Sequence, residues 1–208
     1  MRIDLHCHTS PMSSCSEMTP DEMMLSAVEA KLDGICLTEH NRVWTYEQAD
    51  SLSQKYGIGV FRGIEVTTTG GDILVFGIDT APEGLLTPQE LKKIVDAHEA
   101  IAIAAHPFRG FLLFGFGALQ MNVSDASENP IFSQVHALEI CNGKVTDDEN
   151  DFARQVADAL GLIKIGGSDA HSKGAVGTCV TNFEAEIKNE RDLIAAIMSR
   201  SFSLERCK

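Results

Sequence analysis

The sequence predicts an α/β fold, a parallel sheet with helices packed outside it. Three observations predict it. Along the 208 residues, apolar runs of strand length alternate with stretches of helical period. The strand runs are apolar nearly without a break, as in strands buried on both faces. A composition that is 44% hydrophobic and 23% charged can bury a full core, and no linker or repeat divides it, so residues 1–208 read as one domain.

The elements follow in order. Residues 2–7 form the first strand. Thr19-Pro20-Asp21-Glu22 opens a helix with Pro at its first position, running to about Lys31. Residues 33–38 are a buried strand, 45–56 a helix and 58–64 a strand. Residues 71–78 follow so closely that they form a hairpin with the strand before. Thr87-Pro88-Gln89-Glu90 starts the next helix, which ends near Glu99. Strands at 100–105, 135–140 and 162–166 and helices at 148–160 and 190–200 complete the pattern. Between Phe108 and Phe132 periodicity fails. The aromatic, glycine-rich stretch 108–117 is either a lid or pocket wall, or a short irregular helix packed on the core.

The chain is acidic, with 30 Asp and Glu against 17 Lys and Arg and a net charge of −13. A duplex nucleic-acid binder needs a basic face to displace counterions from phosphates, and docking on anionic lipid needs the same. Neither partner is expected. The chain enters a strand directly after Met1 with no apolar signal region, and its longest uncharged stretch, 110–124, is too short and glycine-rich to span a bilayer. Six cysteines without a CxxC pair read as reduced thiols, and a cytoplasmic location is expected.

Five of the seven histidines stand in short polar clusters just after strand runs: His6 and His8 in Asp4-Leu5-His6-Cys7-His8-Thr9, His40 in Thr38-Glu39-His40-Asn41, His106 in Ala105-His106-Pro107, and His171 in Ser168-Asp169-Ala170-His171. Glu65 ends a strand and Glu139 lies on another. His6 and His8, two apart on a strand, share a face. In a parallel barrel the strand C-termini meet at one rim, so these clusters converge. Neutral imidazoles with a bridging carboxylate suit zinc, iron or manganese. Two ions about 3.5–4 Å apart form a clamp for phosphoryl or carbonyl displacement. His98 and His136, outside the clusters, read as hydrogen-bonded structural residues.

The ordered set DLHCHT at 4–9, LTEHN at 37–41, RGIE at 62–65, AHP at 105–107, ALEICNG at 137–143 and GSDAH at 167–171 resembles the polymerase and histidinol phosphatase (PHP) family of phosphoesterases. The resemblance implies a distorted (β/α)7 TIM-like barrel, with residues 172–208 supplying a strand and helix that complete it. It also implies two or three divalent metal ions at the C-terminal rim of the strands. Carried over, His6, His8, Glu65 and Asp169 hold one metal, Glu65 bridges to a second held also by His106, and His40 and His171 hold a third. Glu39 is a supporting or proton-transfer group, and Asn142 lines the pocket. Three positions depart from the family pattern. Glu39 stands where Asp is usual. Asp72 stands where a His often completes the second site, and can ligate the same ions. The first loop, residues 10–15, lacks the His or Asp that often completes the third site. Cys15 there is a substitute ligand or, more in keeping with the usual burial of free cysteines, a structural thiol.

The implied chemistry is metal-dependent hydrolysis of a small phosphomonoester, a metabolite or nucleotide. Arg109 is a bidentate phosphate grip or a rim salt bridge. Lys173, Ser10 and Ser13 are further phosphate contacts, and the aromatic stretch 111–116 can stack on a base. The competing readings are a nuclease for short oligonucleotides, an amidohydrolase-like C–N hydrolase with Lys164 as its barrel lysine, and a catalytically weak metal-binding module. The sequence leaves oligomeric state open.

Overall fold

A computed structural model describes residues 1–110 and 122–207. Nine strands form one sheet: β1 (Arg2–Cys7), β2 (Gly34–Leu37), β3 (Gly59–Thr68), β4 (Gly71–Phe76), β5 (Ile101–Ala104), β6 (Ala137–Asn142), β7 (Ile163–Gly167), β8 (Cys179–Phe183) and β9 (Phe202–Arg206). Their order across the sheet is β7-β6-β5-β4-β3-β2-β1-β8-β9. The sheet curls into a nearly closed barrel, the distorted TIM-like form that the motifs imply.

The helices are α1 (Pro20–Glu29), α2 (Tyr46–Tyr56), α3 (Pro88–Ala97), α4 (Val123–Ser127), α5 (Asp147–Leu160) and α6 (Glu190–Ser199). Four of them, α1, α2, α3 and α5, open with the same device, a threonine paired with a Glu or Gln three residues on: Thr19/Glu22, Thr45/Gln48, Thr87/Glu90 and Thr146/Glu149. Each threonine satisfies an orphan N–H of the first turn, worth about 1 kcal/mol. α2 and α5 stop at Gly57 and Gly161, whose left-handed conformation ends the helix.

The sheet is mixed: the expected parallel sheet is interrupted by the expected hairpin of β3 and β4 and, beyond expectation, by β8. β1–β2, β2–β3, β5–β6 and β6–β7 pair in parallel, but β4 runs antiparallel to both of its neighbours, and β8 is antiparallel to both β1 and β9. The physical reason is the Thr69-Gly70 turn between β3 and β4, which is far too short for a parallel crossover. The C-terminal segment likewise supplies two strands, not one. The first of them, β8, takes the edge of β1 that a regular barrel would give to β7.

Closure between β1 and β7 is made instead by a few specific bonds. Cys7 and Ala170 form an isolated parallel bridge. His8 N–H donates to the Ala170 carbonyl at 2.9 Å and Ala170 N–H to the His6 carbonyl at 3.1 Å. The fully buried Asp4 carboxylate accepts from the N–H groups of Ser168 (2.8 Å), Gly177 (2.9 Å) and His6 (3.3 Å). Burial pushes this carboxyl above its ordinary range and the N–H donors partly offset that. The closure brings the ends of β1 and β7 side by side.

An apolar cluster fills the interior with side chains from successive strands, among them Leu5, Phe61, Leu74, Phe76, Ile103 and Ile165. Leu74 is the register partner of Glu65, so the apolar interior gives way to polar groups at that level. At the seam a glycine is required: a Cβ on Gly167 would lie 2.6 Å from His6 Cβ and 2.9 Å from its backbone nitrogen. Gly167→Ala is therefore expected to cost about 1–3 kcal/mol through overpacking. The change should be read as a lower thermal midpoint together with weaker metal uptake. An unchanged midpoint would show that His6 is free to move.

Candidate metal centre

Five imidazoles and two carboxylates converge at the rim in three groups: His6, His8 and Asp169; His6, Glu65 and His106; and His8, His40 and His171. Within each group the donor atoms lie within 4.8 Å of one another. Glu65 is the hub. Its Oε1 is 3.0 Å from His106 Nε2, and its Oε2 is 3.0 Å from His40 Nδ1, 3.2 Å from His8 Nε2 and 3.5 Å from His6 Nε2. Asp169 Oδ1 is 3.4 Å from His8 Nε2 and 3.6 Å from His6 Nε2.

The outer nitrogen of several rings is tied to the scaffold. His6 Nδ1 faces Glu139 Oε1 at 3.0 Å, His8 Nδ1 faces Ser13 Oγ at 3.3 Å, and His171 Nδ1 faces the Asp169 carbonyl at 2.9 Å. The Ser13 hydroxyl itself donates to Glu39 Oε2 at 2.6 Å, so toward His8 it acts as an acceptor. These partners place an N–H on each Nδ1, so that in the neutral rings each Nε2 keeps a lone pair that faces inward. His6 Nε2 and His8 Nε2 then oppose each other at 3.0 Å, next to a Glu65 Oε2 that accepts no hydrogen bond from the described residues. Lone pairs and an unsatisfied carboxylate oxygen at one point, with no water-exposed route to compensation, fit divalent cations.

The charge state of the ion-free chain fits the same picture. Burial would lower the His6 imidazole, but Glu139 and Glu65 outweigh it and raise it to about 10. The pull of these two carboxylates toward positive charge on His6 is the pull a bound cation would meet. Burial would raise Glu65, and the imidazolium of His6 and its other ring contacts hold it well below the carboxylate range. His171 is pushed down to about 3 by burial and by the charges of His8 and Lys144. Two non-glycine residues at the site have positive φ, His106 at 29° and Asp169 at 52°. Such conformations cost about 1–3 kcal/mol each and persist only where the surroundings impose them.

The remaining sequence-derived candidates take varied places. Glu39 is fully buried and accepts from Thr9 N–H, Thr9 Oγ1, Ser13 Oγ and Trp44 Nε1. It anchors the first loop behind His8, with both oxygens already engaged. Ser13 is likewise turned inward, away from any phosphate. Asn142 is buried as well. Its Nδ2 donates to Glu139 Oε2 at 2.9 Å and its Oδ1 accepts from Lys144 N–H, so it orients Glu139 and does not line a pocket. Asp72 lies outside the three donor groups. It pairs with Thr67, two rungs beyond Glu65 on β3, roughly 6–7 Å farther out. It lines a cavity of about 240 Å³ with His106, Arg109, Asn129 and Phe132. Arg109 Nη2 is bonded to Asp169 Oδ2 at the mouth of the centre.

Lys173 pairs with Glu22 at 3.3 Å, and Lys164 pairs with Asp158 of α5 on the outside of the barrel. His98 caps α3 at the surface, while His136 Nδ1 accepts from Ala102 N–H at 3.1 Å. Cys15 is exposed, which corrects the expectation of a buried structural thiol, because the loop carries it out toward His171. The stretch 111–116 lies outside the described residues. After it, α4 and a 3-10 turn at Pro130–Gln134 pack on the core, with Phe108 against Phe132 and Phe152.

Glu139 is the residue to which the sequence assigned no role. Its signal was legible: a lone charge inside the apolar run Ala137–Asn142 must have buried partners. Ser13 and Lys144 carried no such signal.

The fold and the site together make a distorted, nearly closed barrel whose rim carries three groups of metal-type donors. Residues 147–202 match the family model described as PHP-associated. Over 192 residues the chain is 26% identical to the PolC-type DNA polymerase III of Caldanaerobacter subterraneus subsp. tengcongensis, covering 77% of this chain and 14% of the polymerase. The chain thus spans only a small part of that relative. Its fold is similar to a two-domain protein of Bacteroides vulgatus containing a predicted PHP-like metal-dependent phosphoesterase, with TM-score 0.74, 19% identity, and coverage of 99% of this chain and 64% of that one. It is also similar to an amidohydrolase from Chromobacterium violaceum with bound sulfate and no metal, with TM-score 0.67, 16% identity, and coverage of 99% and 98%. The resemblance to the polymerase and histidinol phosphatase family, read from six short motifs, is met by the family model and by the PHP-like protein among the solved structures. Among the described residues, no helix is long and apolar enough to cross a membrane.

Glu139→Gln keeps the size of the side chain and removes the charge that holds the His6 ring. Loss of such a partner typically weakens metal affinity by about 10–100-fold. Calorimetric titration with zinc or manganese should show that loss. An affinity equal to wild type would remove Glu139 from the site.

Proposed function

We propose that this protein is a metal-dependent phosphoesterase that hydrolyses a small phosphomonoester, a phosphorylated metabolite or a nucleotide. The observation that carries the reading is the Glu65 oxygen without a hydrogen donor, set among inward-facing imidazoles. His6, His8, Asp169 and Glu65 would hold one ion, Glu65 and His106 a second, and His40 and His171 a third; zinc, manganese and iron suit these donors. Bound there, divalent ions supply a water acidified to near neutrality and positive charge for the phosphoryl oxygens.

The chain's own groups do the rest. Glu139 fixes the His6 ring, and Glu39 acts on His8 through Ser13. Arg109 stands at the mouth of the centre and lines the adjoining cavity, so a phosphate seated beside His106 meets a guanidinium. Asp72 and Asn129 line the same cavity. A nuclease acting on short oligonucleotides is a variant of the same chemistry. Hydrolysis of a C–N bond is favoured by the likeness to the amidohydrolase fold, but Lys164, the barrel lysine that such a reading needs, bonds outward to Asp158.

His6→Ala and Glu65→Ala are expected to reduce hydrolysis of an aryl phosphate to background and to lower bound metal. Chelation should silence the wild type, and manganese, zinc or iron should restore it. Wild-type turnover that survives complete chelation would overturn the assignment.

Arg109→Ala should raise KM for phosphate esters about tenfold or more, the loss of a charge-assisted hydrogen bond worth about 1.5–3 kcal/mol. Unchanged KM across nucleotides, bisphosphates and histidinol phosphate would exclude the phosphate grip. Cyclic amides in the same panel separate the C–N reading.

A further inference from the structure

The third group of donors is short of ligands. His8 belongs to it by distance, yet its Nδ1 is engaged by Ser13 and its single Nε2 lone pair lies among His6, Glu65 and Asp169. One lone pair serves one ion. That leaves His40 and His171, two neutral donors, where a closed zinc site has four protein ligands and an open one three.

The side chain beside them is Cys15. Its Sγ lies 3.1 Å from His171 Nε2. The other ring nitrogen of His171 is 2.9 Å from the Asp169 carbonyl, which places the N–H there and directs the Nε2 lone pair toward the sulfur. A second observation points to a cation on the hub side of His40, the other donor of this group. The unpartnered Oε2 of Glu65, a residue with no solvent exposure, is 3.0 Å from His40 Nδ1. The other five cysteines lie elsewhere. Cys7, Cys36, Cys141 and Cys179 are buried, and Cys207 sits by Arg2 and Glu205 on the edge of the sheet.

We infer that Cys15 is a thiolate ligand of the third site, making it a His40/His171/Cys15 site selective for zinc over manganese and magnesium. Thiolate is the donor that makes this distinction: it binds zinc strongly and the harder ions poorly. The thiol gives its proton to solvent as the ion binds. The inference rests on the metal-centre reading but not on any reaction, so its test is independent of turnover.

The test loads the ion-free full-length chain with cobalt(II) as a spectroscopic probe, and separately with zinc and with manganese. Wild type should show a near-ultraviolet thiolate-to-cobalt charge-transfer band that Cys15→Ser abolishes. After dialysis, Cys15→Ser should retain one zinc fewer per chain than wild type, while the two retain equal manganese. Cys15→His, which keeps a donor in place, should retain the zinc without the band and guards against a folding defect in the serine variant. Zinc should also slow the reaction of wild-type Cys15 with a thiol reagent. A cobalt-loaded wild type without the band, or a serine variant with undiminished zinc, would overturn the inference and reduce the Cys15–His171 contact to a thiol hydrogen bond. An absence of phosphatase activity together with a positive band would refute the proposed function and leave this site standing.

Discussion

The structure depends on keeping a charged carboxylate, Glu65, entirely out of water. Burying an ion costs several kcal/mol even after relaxation, so the chain must surround it with compensating groups. It does so with four imidazoles within 3.5 Å. Glu139 and Glu65 together draw positive charge toward His6, which lies between them. That arrangement dictates the next layer outward. The outer nitrogens of His6 and His8 are met by Glu139 and Ser13, and in the neighbouring group the Asp169 carbonyl does the same for His171. Asn142 and Glu39 in turn orient Glu139 and Ser13. The roles that sequence motifs suggest for Glu39 and Asn142 therefore resolve into support for the rings.

The fold meets this demand at its seam. β8 occupies the edge of β1, so β7 cannot join β1 by a regular ladder, and Asp4 closes the gap with its carboxylate. The few direct bonds that remain, between His6 or His8 and Ala170, set the first and last motifs in contact. Asp169, next to that bridge, takes a positive φ, and His106 does so at the end of β5. The strain is local, and the rigid strands on either side hold it.

Much of this was legible in the sequence. The strand runs, the Thr-initiated helices and the convergence of five histidines follow from periodicity and from the tendency of polar clusters at strand ends to meet at one rim. The antiparallel sense of β4 was legible in its short turn from β3, whereas that of β8 was not, because a buried antiparallel strand is as apolar as a parallel one. The hairpin turn was visible, but its consequence for Asp72 depends on register: Asp72 pairs with Thr67 while Glu65 pairs with Leu74, and two rungs separate a ligand from a neighbour. Nor could the sequence show where Cys15 points. A free cysteine's burial is set by the path of its loop, here fixed by the Ser13–Glu39 bond and by backbone bonds to Met18 and His171.

The acidity of the chain also has a local meaning. Of its 30 acidic residues, Glu39, Glu65, Glu139 and Asp169 are buried at one rim. Each meets different partners: Glu39 neutral donors, Glu65 and Glu139 the imidazole of His6, and Asp169 the guanidinium of Arg109. The last of these is reversible, since a guanidinium 39% exposed can swing away. The negative charge that argues against a polyanion on the outer surface is, at the rim, an excess met by mobile positive charge. A site of that kind is suited to exchange its internal cations for bound ones, and to leave an arginine at its mouth for an anionic substrate.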